Sequence, residues 1–236
     1  MINLRSTFLT LAVVGLGAVS VPEAANAFTI VDRTGFTDTE FNSLRTEGEF
    51  TELFVAESRV GNASLNTAER ELGINDANGT PFATGQFAWG NNQAVDFLLE
   101  YTGELVKYTV GGQLLSSSAF SGPVTDIFLR TRAAANSTMA LSDLVFNGSG
   151  IGNLFSSGSG GSDVDYLQVS DITTPFTITG KSLMSWTGTP PNNSALAYQI
   201  KVGTTPVESV PEPGTVGALL AAGVLSVGLK KKQKVA

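Results

Sequence analysis

Apolar and polar positions alternate along most of the chain between Phe28 and Val202. The cleanest run sets Leu196, Tyr198, Ile200 and Val202 against Ala197, Gln199 and Lys201. Residues 94–101 repeat the pattern with Val95, Phe97, Leu99 and Tyr101 on one side and Asp96 and Glu100 on the other. Residues 104–110 do so with Val106, Tyr108 and Val110. Successive side chains of a strand point to opposite faces, so each run reads as a strand with one buried face. Thr102-Gly103 separates two of these runs and predicts a hairpin. Further strands are expected at residues 28–31, 49–55, 86–89, 124–133, 139–146, 164–169, 176–180 and 183–186. Short strands at this spacing, broken by Gly, Pro and Asn, predict an all-β fold: an antiparallel two-sheet β-sandwich, with a jelly-roll as the favoured strand order.

Helical spacing is convincing in one place. Asp38 stands at a capping position, Phe41 and Leu44 lie three apart, and Glu47 precedes Gly48, which predicts one short helix near the start of the domain. Two segments interrupt the alternation. Residues 62–84 are expected to form a long connection with a turn or two of helix over 67–72, and Asn78-Gly79 a tight turn. Residues 147–163 are rich in Gly and Ser and are expected to form a mobile surface loop inside one domain.

The two ends follow other patterns. Arg5, an apolar run over residues 8–19 and Ala25-Asn26-Ala27 form a secretory signal peptide, with cleavage after Ala27 leaving Phe28 first. Residues 28–203 form the β domain and residues 204–209 a short linker. Residues 210–236 hold Val210-Pro211-Glu212-Pro213-Gly214, an apolar run to Leu229, then Lys230-Lys231-Lys232-Gln233-Lys234. About fifteen apolar residues make a helix of roughly 22 Å against a hydrocarbon core of roughly 30 Å. Such a transmembrane-like helix suits transient membrane holding, with the lysines on the cytoplasmic side.

Composition changes this picture by subtraction. Charged residues are only 15% of the chain, which fits a secreted or surface β protein. The formal charge is −7; residues 1–27 are neutral and residues 209–236 carry +3, so the middle carries −10. A domain this acidic repels phosphate backbones, and nucleic acid is not an expected partner. The chain has no Cys and no His, which excludes disulfides, thiol nucleophiles and His-based catalytic triads. The expectation is a protein that is not an enzyme.

What chemistry remains is carried by carboxylates and aromatics. Asp163 and Asp165, two apart on a strand, with Asp171 beyond, offer oxygen ligands for calcium; the plainer reading is a charged strand edge that deters pairing. Glu100 and Glu104 flank the hairpin turn and would be the pair for a carboxylate-dependent hydrolase, or simply a polar hairpin tip. Trp89 and Trp186 would form a sugar-stacking platform if exposed, and half-buried core if not.

Pro211-Glu212-Pro213, the apolar run and the lysines together closely resemble the PEP-CTERM sorting signal of exosortase-dependent bacterial surface proteins. That resemblance implies export by signal peptidase, retention by the C-terminal segment, recognition by a membrane exosortase, and display on the cell surface or in the extracellular matrix. Gly85-Gln86-Phe87-Ala88-Trp89-Gly90 and Val124-Thr125-Asp126-Ile127-Phe128-Leu129-Arg130-Thr131-Arg132-Ala133 make the middle similar to the choice-of-anchor W class of surface domains, a class without an assigned activity. The expected function is therefore structural or adhesive, with an exopolysaccharide-binding module as the alternative. No cofactor is expected beyond the calcium option.

Overall fold

A computed structural model of the protein describes residues 28–61 and 69–206. The signal peptide with Ala25 and Ala27, and the sorting segment with Pro211, Glu212, Pro213 and Lys230 to Lys232, lie outside the described residues.

The chain runs through β1 (Thr29–Asp32), α1 (Asp38–Thr46), β2 (Thr51–Val60), β3 (Glu69–Asn75) and β4 (Pro81–Ala88). It continues through β5 (Gln93–Tyr101), β6 (Val106–Val110), β7 (Gln113–Ser117), β8 (Asp126–Ala133) and β9 (Ser137–Phe146). It closes with β10 (Ser149–Ser157), β11 (Asp163–Ser170), β12 (Phe176–Trp186) and β13 (Leu196–Thr204). The strands form two antiparallel sheets, ordered β1-β11-β8-β13-β2-β3-β4 and β10-β9-β12-β5-β6-β7. This is the β-sandwich that the alternation predicts.

The inward positions of both sheets make one core. Ile127 and Leu129 on β8 and Tyr198, Ile200 and Val202 on β13 meet Leu99 on β5, Leu141 on β9 and Ile178 on β12, all essentially without solvent contact. Burial of this kind contributes roughly 1.5–3 kcal/mol per large side chain. Two buried polar contacts cross between the sheets: Tyr108 Oη donates to Tyr198 Oη at 2.7 Å, and Thr131 Oγ1 lies 2.7 Å from Ser156 Oγ. Such pairs place hydroxyls in the interior with their hydrogen bonds made, which fixes how one sheet sits on the other.

The predicted helix is α1, with a corrected cap. Thr37, not Asp38, is the N-cap: its Oγ1 accepts from Glu40 N at 3.3 Å, while Glu40 Oε2 accepts from Thr37 N at 2.7 Å. That reciprocal box satisfies two helix-end donors and leaves the Asp38 carboxylate free to leave the helix.

Three expectations are corrected. No helix forms at the described end of the 62–84 connection; β3, a turn at Asp76–Thr80 and β4 stand there. The charged run misleads because Glu and Arg also favour helices, whereas Leu72 and Ile74 alternate inward with Glu71, Gly73 and Asn75 on the other face. Asn78-Gly79 does lie in the turn, with Gly79 at φ +81°. The segment 147–163 is not a loop: β10 pairs with β9 along its length, through two irregularities, and buries Ile151 and Leu154. Residues 176–180 and 183–186 join into the single strand β12. A Cβ on Gly180 would come within 2.7 Å of Leu144 Cδ2 and 2.8 Å of Phe97 Cζ, so the glycine marks close packing rather than a break.

Candidate functional site

The outer face of the first sheet is where polar side chains converge. Part of it is covered. Phe41 of α1 sits on Phe50, Phe128 and Tyr166, with ring centroids 5.2–5.8 Å apart, in a second apolar cluster outside the main core. The Asp38 carboxylate holds the helix down: Arg130 Nε and Nη2 donate to it at 2.6 and 2.5 Å, and Tyr166 Oη at 2.7 Å. Burial pushes this carboxyl up, but the Arg130 and Tyr166 donors prevail and hold it below the ordinary aspartate range. Burial, with the neighbouring Asp38 carboxylate, raises the Tyr166 phenol, so it stays a donor.

Beside α1 the face is open. A groove of about 610 Å³ runs between Arg45 on the helix, the β3–β4 turn and the floor strands β13, β2, β3 and β4. Its size falls in the range of small-ligand sites. A shallower hollow of about 230 Å³, reaching Arg130 and Arg132, shares Glu57, Arg59, Gln199 and Lys201 with it.

Strand register places the floor in rows that cross the strands. One row reads Arg130, Gln199, Glu57, Gly73, Thr84. The next reads Arg132, Ala197, Arg59, Glu71, Gln86. The charges at the centre of these rows are paired: Arg59 lies between Glu57 and Glu71. Arg59 Nε donates to Glu71 Oε2 at 2.8 Å and its Nη1 to Ser194 Oγ at 2.9 Å. Gln199 Nε2 donates to Glu57 Oε2 at 3.0 Å. Arg45 Nη2 closes the wall by donating to Ala77 O at 2.6 Å.

At the helix end of the groove the pairing is buried. The Glu52 side chain is 2% exposed; its Oε1 lies 3.8 Å from Lys201 Nζ and its Oε2 3.3 Å from Arg45 Nε. Oε2 has no hydrogen-bond partner. Burial raises the Glu52 carboxyl, with Lys201 and Arg45 pulling it back; burial lowers the Lys201 amine, with Glu52 opposing. Both groups thus move toward their neutral forms. Lys201 Nζ also stands 4.6 Å from the Phe41 ring centroid, a cation–π contact.

The residues singled out from the sequence lie elsewhere. Asp163 and Asp165 share a side of β11, as expected, but their carboxylates accept from backbone. Asp163 Oδ2 takes Ser157 N at 2.7 Å and Asp165 Oδ2 takes Phe155 N at 3.3 Å. They cap the free edge of β10 from the opposite sheet. Asp171, beyond the far end of β11, accepts from Thr29 Oγ1 at 2.6 Å. Among the described residues no three acidic groups come together to hold a metal. Glu100 stands beside Lys107 across the β5–β6 pair and Glu104 is exposed at the turn; neither lines the groove. Trp89 is in the core at 3% exposure, edge-on to Phe87. Trp186 is half-buried, and the two tryptophans do meet along one separate hollow of about 500 Å³, with Asn91 and Pro190, though Trp89 shows almost none of its ring to solvent. The exposed two-Trp platform is therefore not formed.

Sequence reading missed the groove itself. Its one local signal was the outward face of the last strand, Gln199 and Lys201, matched by Glu57 and Arg59 on β2. A scan against protein-family models gives no match, and a search of the curated proteins gives none either.

Proposed function

We propose that the chain is an exported bacterial protein of the cell surface or extracellular matrix, structural or adhesive in its work and sorted by an exosortase-like system. The observation that carries this is the order of the C-terminal parts: Pro211-Glu212-Pro213, an apolar run, then Lys230, Lys231 and Lys232. The fold is consistent with a separable tail. Near the end of the described residues Thr205 is tied to the domain: its N–H donates to Thr125 Oγ1 at 2.9 Å and its hydroxyl donates to Asp126 Oδ2 at 2.5 Å. The sorting motif begins five residues later.

The middle domain is read as a jelly-roll. What supports this is the nesting of β2, β13, β8 and β11 in one sheet opposite β5, β12, β9 and β10 in the other, with β3–β4 and β6–β7 added as hairpins. A second reading, a carbohydrate-binding module of the matrix, is favoured by the groove, which replaces the Trp pair as its candidate site. Neither reading calls for a resident cofactor. A calcium site at Asp163 and Asp165 would show as a thermal midpoint raised by the added ion.

Removal of residues 210–236 tests the sorting proposal. In a host that carries the exosortase-like system, the intact chain fractionates with the envelope or matrix, and the shortened chain appears in the periplasm or medium. Identical fractionation of the two chains would sink the proposal.

A further inference from the structure

We propose that the groove beside α1 binds a neutral, hydroxyl-rich polymer, a glycan chain, laid across the strands and held by side-chain hydrogen bonds without metal or aromatic stacking. This rests on the reading of the protein as a matrix-contacting surface domain, and it adds the site, the ligand class and the direction in which the ligand lies.

The shape points to a chain rather than a compact ligand. The floor rows cross five strands, β8, β13, β2, β3 and β4, at ~4.8 Å per step, so a row is roughly 19 Å long. The shallow hollow and the groove share Glu57, Arg59, Gln199 and Lys201, which makes the path continuous from Arg130 to Thr84. Gly73 gives it depth. It sits in the middle of the row that holds Gln199 and Glu57, where any side chain would stand in the path.

The electrostatics select the ligand class. Each cation of the groove already faces a carboxylate: Arg45 and Lys201 face Glu52, and Arg59 faces Glu71. Arg132, at the far end of the hollow, has no carboxylate partner among the described residues, but groove and hollow together are lined by five cations and five carboxylates, so no net positive charge is left for a phosphate or polyuronate, and the carboxylates are held by their own partners rather than grouped for a divalent ion. What the floor offers instead is a dense mixture of donors and acceptors on planar groups, from Gln199, Glu57, Arg59, Glu71 and Gln86. A neutral polyol matches both roles at each hydroxyl, and such a site discriminates through groups that would otherwise be left unpaired.

Titration calorimetry of the purified full chain with neutral gluco-, manno- and galacto-oligosaccharides, and with a polyuronate, tests the assignment. The expected result is heat of binding with at least one neutral oligosaccharide, unchanged between low and high salt because no net charge is neutralised. Gln199→Ala weakens it about tenfold, the loss of roughly one hydrogen bond to a charged network. Gly73→Phe abolishes it, and Trp186→Ala leaves it unchanged. The atoms nearest to a Cβ at Gly73 are the Asn75 amide at 3.0–3.2 Å and Glu57 Cγ at 3.3 Å, both on side chains that can yield. Should Gly73→Phe fail to fold, Gln199→Ala and the exposed Gln86→Ala carry the test. The proposal is overturned if no neutral oligosaccharide binds, if binding survives both glutamine changes, if Trp186→Ala removes it, or if only the polyuronate binds and salt reverses it. Fractionation of the tail-deleted chain is read separately, so failure here leaves the sorting proposal standing.

Discussion

Glu52 and Lys201 show how a buried pair differs from the surface pairs around it. Arg59 and Glu71 are about one-third exposed, and such a pair is worth at most about 1 kcal/mol. Glu52 and Lys201 are almost wholly enclosed, so removing Lys201 leaves the buried Glu52 with Arg45 as its remaining cation. Lys201→Met should destabilise the domain by about 3 kcal/mol at pH 8 and by less at pH 4, where Glu52 can take up a proton. The double change Glu52→Gln with Lys201→Met should recover most of that loss in urea midpoints. The signs of the pH terms differ between carboxylates. The Glu52 carboxyl is raised, so its contribution is present below the ordinary glutamate value and lost as pH rises through the folded value. Burial pushes Asp126 up, but hydrogen bonds from Ser170, Thr205, Thr125 and Gln168 outweigh it and depress this carboxyl. Its contribution is present above the ordinary aspartate value and lost as pH falls through the lower folded value. Asp126→Asn should cost about 2 kcal/mol at pH 7 and leave a flatter acid limb below about pH 4.

Among the elements, β10 makes the sharpest claim. It is an edge strand built from glycine and serine, paired to β9 on one side and capped by Asp163 and Asp165 on the other. It ends in a single turn of 3-10 helix, where a Cβ on Gly158 would stand 1.7 Å from Ala134 O. Gly158→Ala should therefore cost about 3 kcal/mol, while Gly160→Ala, which meets nothing within 4 Å, should leave the thermal midpoint nearly unchanged. The same strand explains the limits of sequence reading. Strands such as β5, β6 and β13 were legible because apolar and polar residues alternate along them, even though β13 is buried on both faces. β10 was not, because its glycines and serines read as a loop: Gly150 and Gly152 meet nothing within 4 Å, and Gly152, at φ +103°, sits between the strand's two irregularities. β3 was not, because its run of Glu69, Arg70 and Glu71 looks helical in isolation, whereas Glu71 lines the groove from a strand. β7 was missed because it is short and buries only Leu115, while the adjacent Leu114 stands exposed and blurs the alternation. The groove was illegible for a different reason. Its floor draws one outward residue from each of five strands, and which strands lie side by side is decided by long-range pairing rather than by local pattern.

For the molecule as a whole, a strongly acidic sandwich carries a polar outer face and is joined through Thr205 to the residues proposed to hold its address. The outer groove lies on the first sheet, with α1 pinned along it by Asp38, Arg130 and Tyr166. On the sorting proposal, the two ends are signals and only the part between them works at the surface. Intact mass spectrometry of the protein recovered from the envelope or matrix tests this most directly. The predicted mass corresponds to a chain that begins at Phe28 and ends near Pro211-Glu212-Pro213. A mass that runs from Met1 through Ala236 would contradict the account.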